Sequence, residues 1–565
     1  MRSLSSQLRV LLNLVLAGAL LRALGLGVHS LWLDEGATWS WAARENWWGP
    51  DGTILAEANH PPVWWIITRG WMEMFGSDTE TALRAPAAIC GILTIPFAWL
   101  LGRRLLDPTQ RPSRGGFDRT PDHGEGATQA LWFAGFVAVS TYFTEYSQEA
   151  RMYALLILEG IGLSLLYLRW LDKNDKLSLV GYALVAALAL YTQYFALWII
   201  CGHGAHALWL WHRGRKEGTD AFNPVPFVLA CVTAGLLFIP WFMHLVSNYE
   251  SISTGEPYEP FSRLFYVLWR IGIGPGMVVV DRPRLEEGQA AVFEEEWMIV
   301  AVSSLLWFAP VIAGALRLRK MPGVSSFVVC NLLVPIALVL LVFVKFQLIH
   351  ERYLVFLGAW LWFVATVGAV GAQGLKRILL IGGLVVLTVA SLFTYHAVTA
   401  ILVPEGPEQT LGDVKVASRY RMAPEDSTRY LNHGHPFGKE PWRQAQAFVD
   451  EHAKSQDLVV LYPWYIHLVW DYYERDKRES VRLPRHAMTV DELAPLLTEK
   501  LKKRTRVFLV LAHEETDDPN HTFRELQKLI VRVWVEDGGG RVDAPVRPIL
   551  FDTSWGVRVA VFNRR

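Results

Sequence analysis

Residues 9–35 read RVLLNLVLAGALLRALGLGVHSLWLDE, and the fold turns on how this stretch is read. Val10 to Val28 is apolar over the length that crosses a bilayer, about 20 residues. Two adjacent carboxylates, Asp34 and Glu35, follow within a few positions. Carboxylates are costly in or beside hydrocarbon, so an acidic pair at a membrane–water boundary marks a functional site by default. Arg2 and Arg9 give the run the charged start of a signal peptide. No small-x-small cleavage site with a polar start follows, so a retained first transmembrane helix is expected.

Outward from this first run, comparable apolar stretches begin around residues 84, 128, 151, 178, 195, 226, 297, 324, 353 and 377. The last ends near Leu402, before Pro404 and Gly406. The expectation is a polytopic α-helical membrane protein with about eleven transmembrane helices. Composition agrees: 52% of the 565 residues are hydrophobic and only 19% charged. The 25 tryptophans suit aromatic belts at the headgroup level. Formal net charge is zero and no basic block occurs, which argues against a nucleic-acid partner. The four cysteines, Cys90, Cys201, Cys231 and Cys330, sit in apolar stretches without CxxC spacing and are expected as small buried hydrophobes.

Lysine and arginine set the orientation. Arg103 to Arg119, Lys173 and Lys176, Arg213 to Lys216, Arg317 to Lys320, and Lys376 with Arg377 fall in alternate loops. These are read as cytoplasmic, which places the other loops and the C-terminal part outside. Residues 1–402 are then a transmembrane domain and 403–565 a soluble extracytoplasmic α/β domain of ordinary size. Within the outer loops, Val63 to Phe75 is too short to span and reads as an interfacial helix. Phe261 to Ile271 is similarly amphipathic. In the C-terminal domain, helices are expected at 442–454, 490–503 and 523–531. Strands are expected at 457–462, 506–511 and 557–562.

An enzyme working outside the cytoplasm has no nucleotide pool, so its activated group usually arrives on a lipid carrier. A sugar on a polyprenyl phosphate supplies both the energy and the leaving group. The reaction needs a carboxylate to take the acceptor hydroxyl's proton. It also needs cations to stabilise charge on the departing phosphate. Asp34 is the candidate base, with Glu35 orienting the acceptor or keeping Asp34 ionised; the alternative is an acidic helix start. His60, before Pro61 and Pro62, is a candidate for a phosphate or sugar hydroxyl, or simply opens a turn.

In the outer hairpin Gln148-Glu149-Ala150-Arg151, the acid and the base cannot face each other at i, i+2. Glu149 is assigned to the sugar or acceptor and Arg151 to phosphate, against interfacial snorkelling. His350, Glu351, Arg352 and Tyr353 open a late span; Arg352 suits bidentate phosphate binding, with Lys345 assisting. Arg84 pairs with an outer acid or binds ligand. His203 and His206 read as packed within a span or facing the cytoplasm. The sequence requires no cofactor and shows no metal-ligand spacing, although its acids would accept a divalent ion.

The acidic pair after the first span, HPP at 60–62, LRAP at 83–86, SQEARMY at 147–153 and the late ERY at 351–353 occur in this order. Together they resemble bacterial family 39 glycosyltransferases of the GT-C fold, the relatives of protein O-mannosyltransferases and aminoarabinose lipid A transferases. The resemblance covers roughly residues 1–400. It implies inverting transfer from a polyprenyl-phosphate sugar to a glycan, lipid or protein hydroxyl, in a bacterial inner membrane with the site on the periplasmic side. It also implies Asp34 as base, Glu149 as a second acid and Arg352 on the lipid phosphate. The alternative is a transporter or flippase of lipid-linked or polar cargo. Transporters place such residues near the bilayer midplane within paired halves, whereas these lie at the outer boundary.

Overall fold

The computed structural model describes residues 4–45, 60–112, 115–117, 125–217, 222–247, 260–275, 289–346, 349–400, 409–411, 414–416, 421–422, 442–474, 478–483, 488–512, 521–536, 542–543, 549–550 and 557–564. Its helices are α1 Leu4–Ala23, α2 Leu33–Ala42, α3 Val63–Phe75, α4 Glu80–Leu106, α5 Glu125–Val139, α6 Thr141–Ser147, α7 Tyr153–Lys173, α8 Lys176–Thr192, α9 Ala196–Glu217 and α10 Val225–Ser247. There follow α11 Pro260–Ile273, α12 Gln289–Leu318, α13 Pro322–Phe346, α14 Leu357–Gly371, α15 Gly374–Ala400, α16 Trp442–His452, α17 His467–Tyr473, α18 Val490–Lys502 and α19 His521–Glu536. The described residues form two compact units. One comprises the described parts of Met1–Leu26, Arg44–Val278 and Leu285–His396. The other gathers Gly27–Ala43 with the described parts of Ala397–Arg565.

The first unit is a multi-pass membrane domain. A helix stands at each of the eleven expected positions. Among the described residues seven (α1, α4, α7, α10, α12, α13 and α15) are long and apolar enough to cross a membrane, and α8 and α14 are shorter apolar helices. At the two remaining positions, α5 has 15 residues and α9 ends in a charged turn. Leu4, Leu8, Leu12, Leu16 and Leu20 of α1 are all exposed. At a spacing of four they form one stripe. In water that stripe would be a liability; in a bilayer it faces lipid. α3 and α11 are the short amphipathic helices that the loops suggested.

Close approach in this unit relies on small residues. α12 packs along α14. A Cβ on Gly314 would strike the Val364 carbonyl, and one on Gly368 the Pro310 carbonyl. Such backbone contact is how membrane helices gain dispersion energy where burial from water is not available. Several of the buried polar groups are paired across helices. Arg22 donates to Ser147 Oγ at 3.1 Å and to the carbonyls of Val137 and Ala138 at the end of α5. His203 meets Ser164 Oγ at 3.1 Å and Tyr182 Oη at 2.9 Å, and His206 meets Tyr167 Oη at 2.9 Å. Both histidines are fully buried, as the packed reading required. The four cysteines are free, and they are only partly buried where full burial was expected.

The second unit is α/β. Its strands are β1 Gln409–Leu411, β2 Val414–Val416, β3 Arg421–Met422, β4 Leu458–Tyr462, β5 Ser480–Arg482, β6 Arg506–Leu511, β7 Val542–Asp543, β8 Ile549–Leu550 and β9 Arg558–Arg564. β1 and β2 pair alone; the others form a seven-stranded sheet ordered β3-β8-β9-β6-β4-β5, with β7 on β9. β4 lies parallel to β5 and β6, and β9 runs antiparallel to β6. β4 is buried on both faces, as an apolar run between helical layers must be. Leu458, Val460, Leu509 and Phe562 pack with Leu493, Leu497 and Leu501 of α18 and with Leu526, Ile530 and Trp534 of α19. Phe508, on the opposite face, meets Phe448 of α16.

Candidate active site

α2 carries the acidic pair. Asp34 and Glu35 stand in its first turn, where the exposed N–H groups favour negative charge. Glu35 is fully buried, and its carboxylate reaches back to accept the Trp32 backbone N–H at 3.3 Å. That is the inward half of a capping box. Asp34 is only partly buried. The two acids therefore differ in burial: Glu35 is enclosed and tied to its own helix start, while Asp34 is only partly enclosed.

In the first unit the SQEARMY hairpin is a junction. Gln148 Nε2 donates to the carbonyls of Leu21, Arg22 and Leu24 at 3.3, 3.0 and 2.7 Å, satisfying the end of α1. Its Oε1 accepts from Tyr395 Oη at 2.7 Å. Arg84 donates to the Leu26 carbonyl at 2.8 Å, so one arm of its guanidinium serves the same chain segment. Ala150 accepts the Trp64 indole N–H at 2.9 Å. Arg151 is buried and lies 3.0 Å from His60 Nε2. When Nε2 accepts from the guanidinium, His60 is neutral with its proton on Nδ1. Two residues expected at the site from distant segments are thus brought together, with Glu149 partly buried beside them in the hairpin.

A second cluster lies around Arg270 of α11. Its Nη2 donates to Glu145 at 2.6 Å, and its Nε lies 3.4 Å from Glu351. His350 Nδ1 lies 3.2 Å from Glu351 and 3.3 Å from the Arg352 backbone nitrogen. Arg263 donates to the Ile349 carbonyl at 3.2 Å. Burial would push the Glu351 carboxyl up, but His350, Arg270 and Arg263 hold it well below the usual carboxylate range. Burial would equally lower Arg270, yet Glu145, Tyr266 and Glu351 keep its pKa well above the ordinary value. Tyr353 stacks on Phe195 with centroids 4.4 Å apart, and Arg352 is partly buried. Edge contacts run from Tyr142 to Tyr146 at 5.1 Å and from Tyr146 to Tyr153 at 5.3 Å, linking α6 to the hairpin. Lys345 falls at the end of α13, and its side chain lies outside the described residues.

Glu145, Arg263 and Arg270 were not singled out from the sequence. Arg263 and Arg270 are seven apart, hence on one face of α11, and that spacing was the available signal. Among the described residues no group of three His, Cys, Asp or Glu side chains is placed to hold a metal ion.

No family model matches the sequence, and no curated protein matches it. Solved structures do resemble the chain. ArnT from Cupriavidus metallidurans in the apo state is 12% identical over 98% of this chain and 97% of its own, with a TM-score of 0.51. The same protein bound to undecaprenyl phosphate is 14% identical over 98% and 97%, at 0.42. The Archaeoglobus fulgidus oligosaccharyltransferase, solved with Zn and sulfate, is 12% identical over 89% of this chain and 68% of its own, at 0.48. At such identities the likeness establishes architecture: this chain has the GT-C membrane fold with a C-terminal α/β domain.

Proposed function

We propose that this protein is a glycosyltransferase of the family 39 type that moves a sugar from a polyprenyl phosphate to an acceptor hydroxyl outside the cytoplasm. The observation that carries the reading is the contrast within α2: Glu35 is buried and caps the helix, while Asp34, one residue earlier in the same first turn, is only partly buried. The fold shared with apo ArnT supports it. In the reaction, the acceptor oxygen attacks the anomeric carbon as Asp34 takes its proton. The bond from that carbon to the phosphate oxygen breaks, and polyprenyl phosphate departs with the electron pair. A single displacement inverts the anomeric configuration. Arg151 and Arg352 neutralise the phosphate, as guanidinium groups do best. Glu149 and His60 orient the acceptor, His60 with the help of its contact to Arg151.

The test uses full-length protein in proteoliposomes with a polyprenyl-phosphate sugar and candidate glycan, lipid and protein acceptors. Asp34→Asn should lower transfer by about 10²–10⁴-fold, the usual worth of a general base. Wild-type turnover by Asp34→Asn would remove Asp34 from the mechanism. Movement of the lipid-linked sugar across the vesicle without transfer would instead identify a flippase.

A further inference from the structure

α2 has ten residues, below the roughly 12–15 at which an isolated helix holds itself together in water. Its placement must therefore come from what it packs against, and within the second unit that is α17. α17 is the short helix between the parallel strands β4 and β5, rooted in the buried sheet. At the crossing, a Cβ on Gly36 would lie 2.5 Å from Val469 Cβ and 2.6 Å from Val469 Cα, so helix backbone meets helix backbone. The Tyr473 hydroxyl accepts the Leu31 N–H at 2.7 Å, and Trp39 meets Tyr472 edge-on at 5.2 Å. Upstream, the Arg443 guanidinium at the start of α16 donates to the carbonyls of Gly27, Val28 and His29 at 3.3, 3.2 and 3.5 Å. Ser30 Oγ accepts the Arg443 backbone N–H and donates to Gln444 Oε1, both at 3.2 Å. From residue 27 to residue 39 the acidic segment is held along its length by the C-terminal domain.

We infer that the C-terminal domain is the seat of the Asp34 helix, and that Tyr473, Arg443 and the Gly36–Val469 crossing are positioning elements for the catalytic base. This rests on Asp34 being that base. A base must sit within hydrogen-bond reach of the proton it takes, and a misplacement of about 1 Å costs on the order of 10²-fold. The domain then acts on turnover through Asp34 and need not touch the donor.

The experiment compares full-length Gly36→Ala and Tyr473→Phe, each alone and combined with Asp34→Asn, using steady-state transfer in proteoliposomes and quantified folded protein. Gly36→Ala should lower kcat about 100-fold and Tyr473→Phe about fivefold. Neither should change KM for the polyprenyl-phosphate sugar. On the Asp34→Asn background the residual rate should not fall further, because the group being positioned is gone. Equal losses with and without Asp34 would overturn the inference, since a general structural defect predicts that. So would wild-type kcat in Tyr473→Phe and Gly36→Ala when Asp34→Asn is inactive, and the base assignment would then survive. Full activity of Asp34→Asn itself would instead strike the underlying reading.

Discussion

At the residue scale the largest electrostatic commitment in the described part of the first unit is Arg270. One guanidinium serves Glu145 and Glu351, both largely shielded from water. Removing it leaves two buried carboxylates close to each other, a loss expected to cost about 3–5 kcal/mol. Arg270→Met should therefore lower Tm in detergent more than Glu145→Gln does, as read by tryptophan fluorescence on heating. A Glu145→Gln variant as labile as Arg270→Met would show that the arginine is not the hub. The depressed Glu351 pKa fixes a pH sign. A carboxyl held below its unfolded value of about 4.3 contributes its full stabilisation above that pH. The contribution is lost as pH falls toward the folded value. The Tm gap between wild type and Glu351→Gln should thus narrow from pH 7 to pH 3.5; a constant gap would contradict the assignment. The sequence displayed Glu351 and Arg352 because they stand at the end of a span. It concealed Arg270, since an arginine on an amphipathic helix reads by default as a solvated face.

At the element scale, the contact of α12 with α14 depends on glycine rather than on apolar bulk. Gly314→Val should separate the two helices and cut the yield of folded protein. Val364→Leu, which adds volume but keeps a carbonyl against Gly314, should be tolerated far better. Purification yield and melting in one detergent settle the comparison; equal behaviour would mean that the helices do not touch through backbone. Much at this scale was legible. α3 begins and ends where its apolar stretch does, because the double proline opens it and Gly76 closes it in the left-handed conformation. The allegiance of α2 was not legible. Its sequence lies between two membrane-domain segments, yet its partners Val469 and Tyr472 lie more than four hundred residues away. No local pattern encodes so distant a pairing.

At the scale of the whole molecule, hydrophobic run length found a helix at all eleven positions, and short apolar β-rich runs and amphipathic stretches located the main strands and helices of the C-terminal unit. β4, β6 and α18 match their expected limits to within a residue or so. The short strands β1 to β3, β5, β7 and β8 went unread because two or three residues carry no detectable period. A lipid-dependent enzyme should also respond as a whole molecule to its carrier. Undecaprenyl phosphate at 100 times its Kd should add about 2.7 kcal/mol to the folded state. Its effect on Tm should exceed that of the free undecaprenol, because Arg151 and Arg352 are proposed to meet the phosphate. Equal shifts by the alcohol and the phosphate would withdraw that role from the arginines.

The crossing at Gly36 carries an evolutionary consequence. Because a side chain there would press on the Cα of residue 469 and not merely on its side chain, no partner substitution can make room. Lineages descended from this gene should keep glycine at 36 while position 469 drifts among small and β-branched residues. A pair of positions in contact would then show one frozen member and one free member, with no covariation between them.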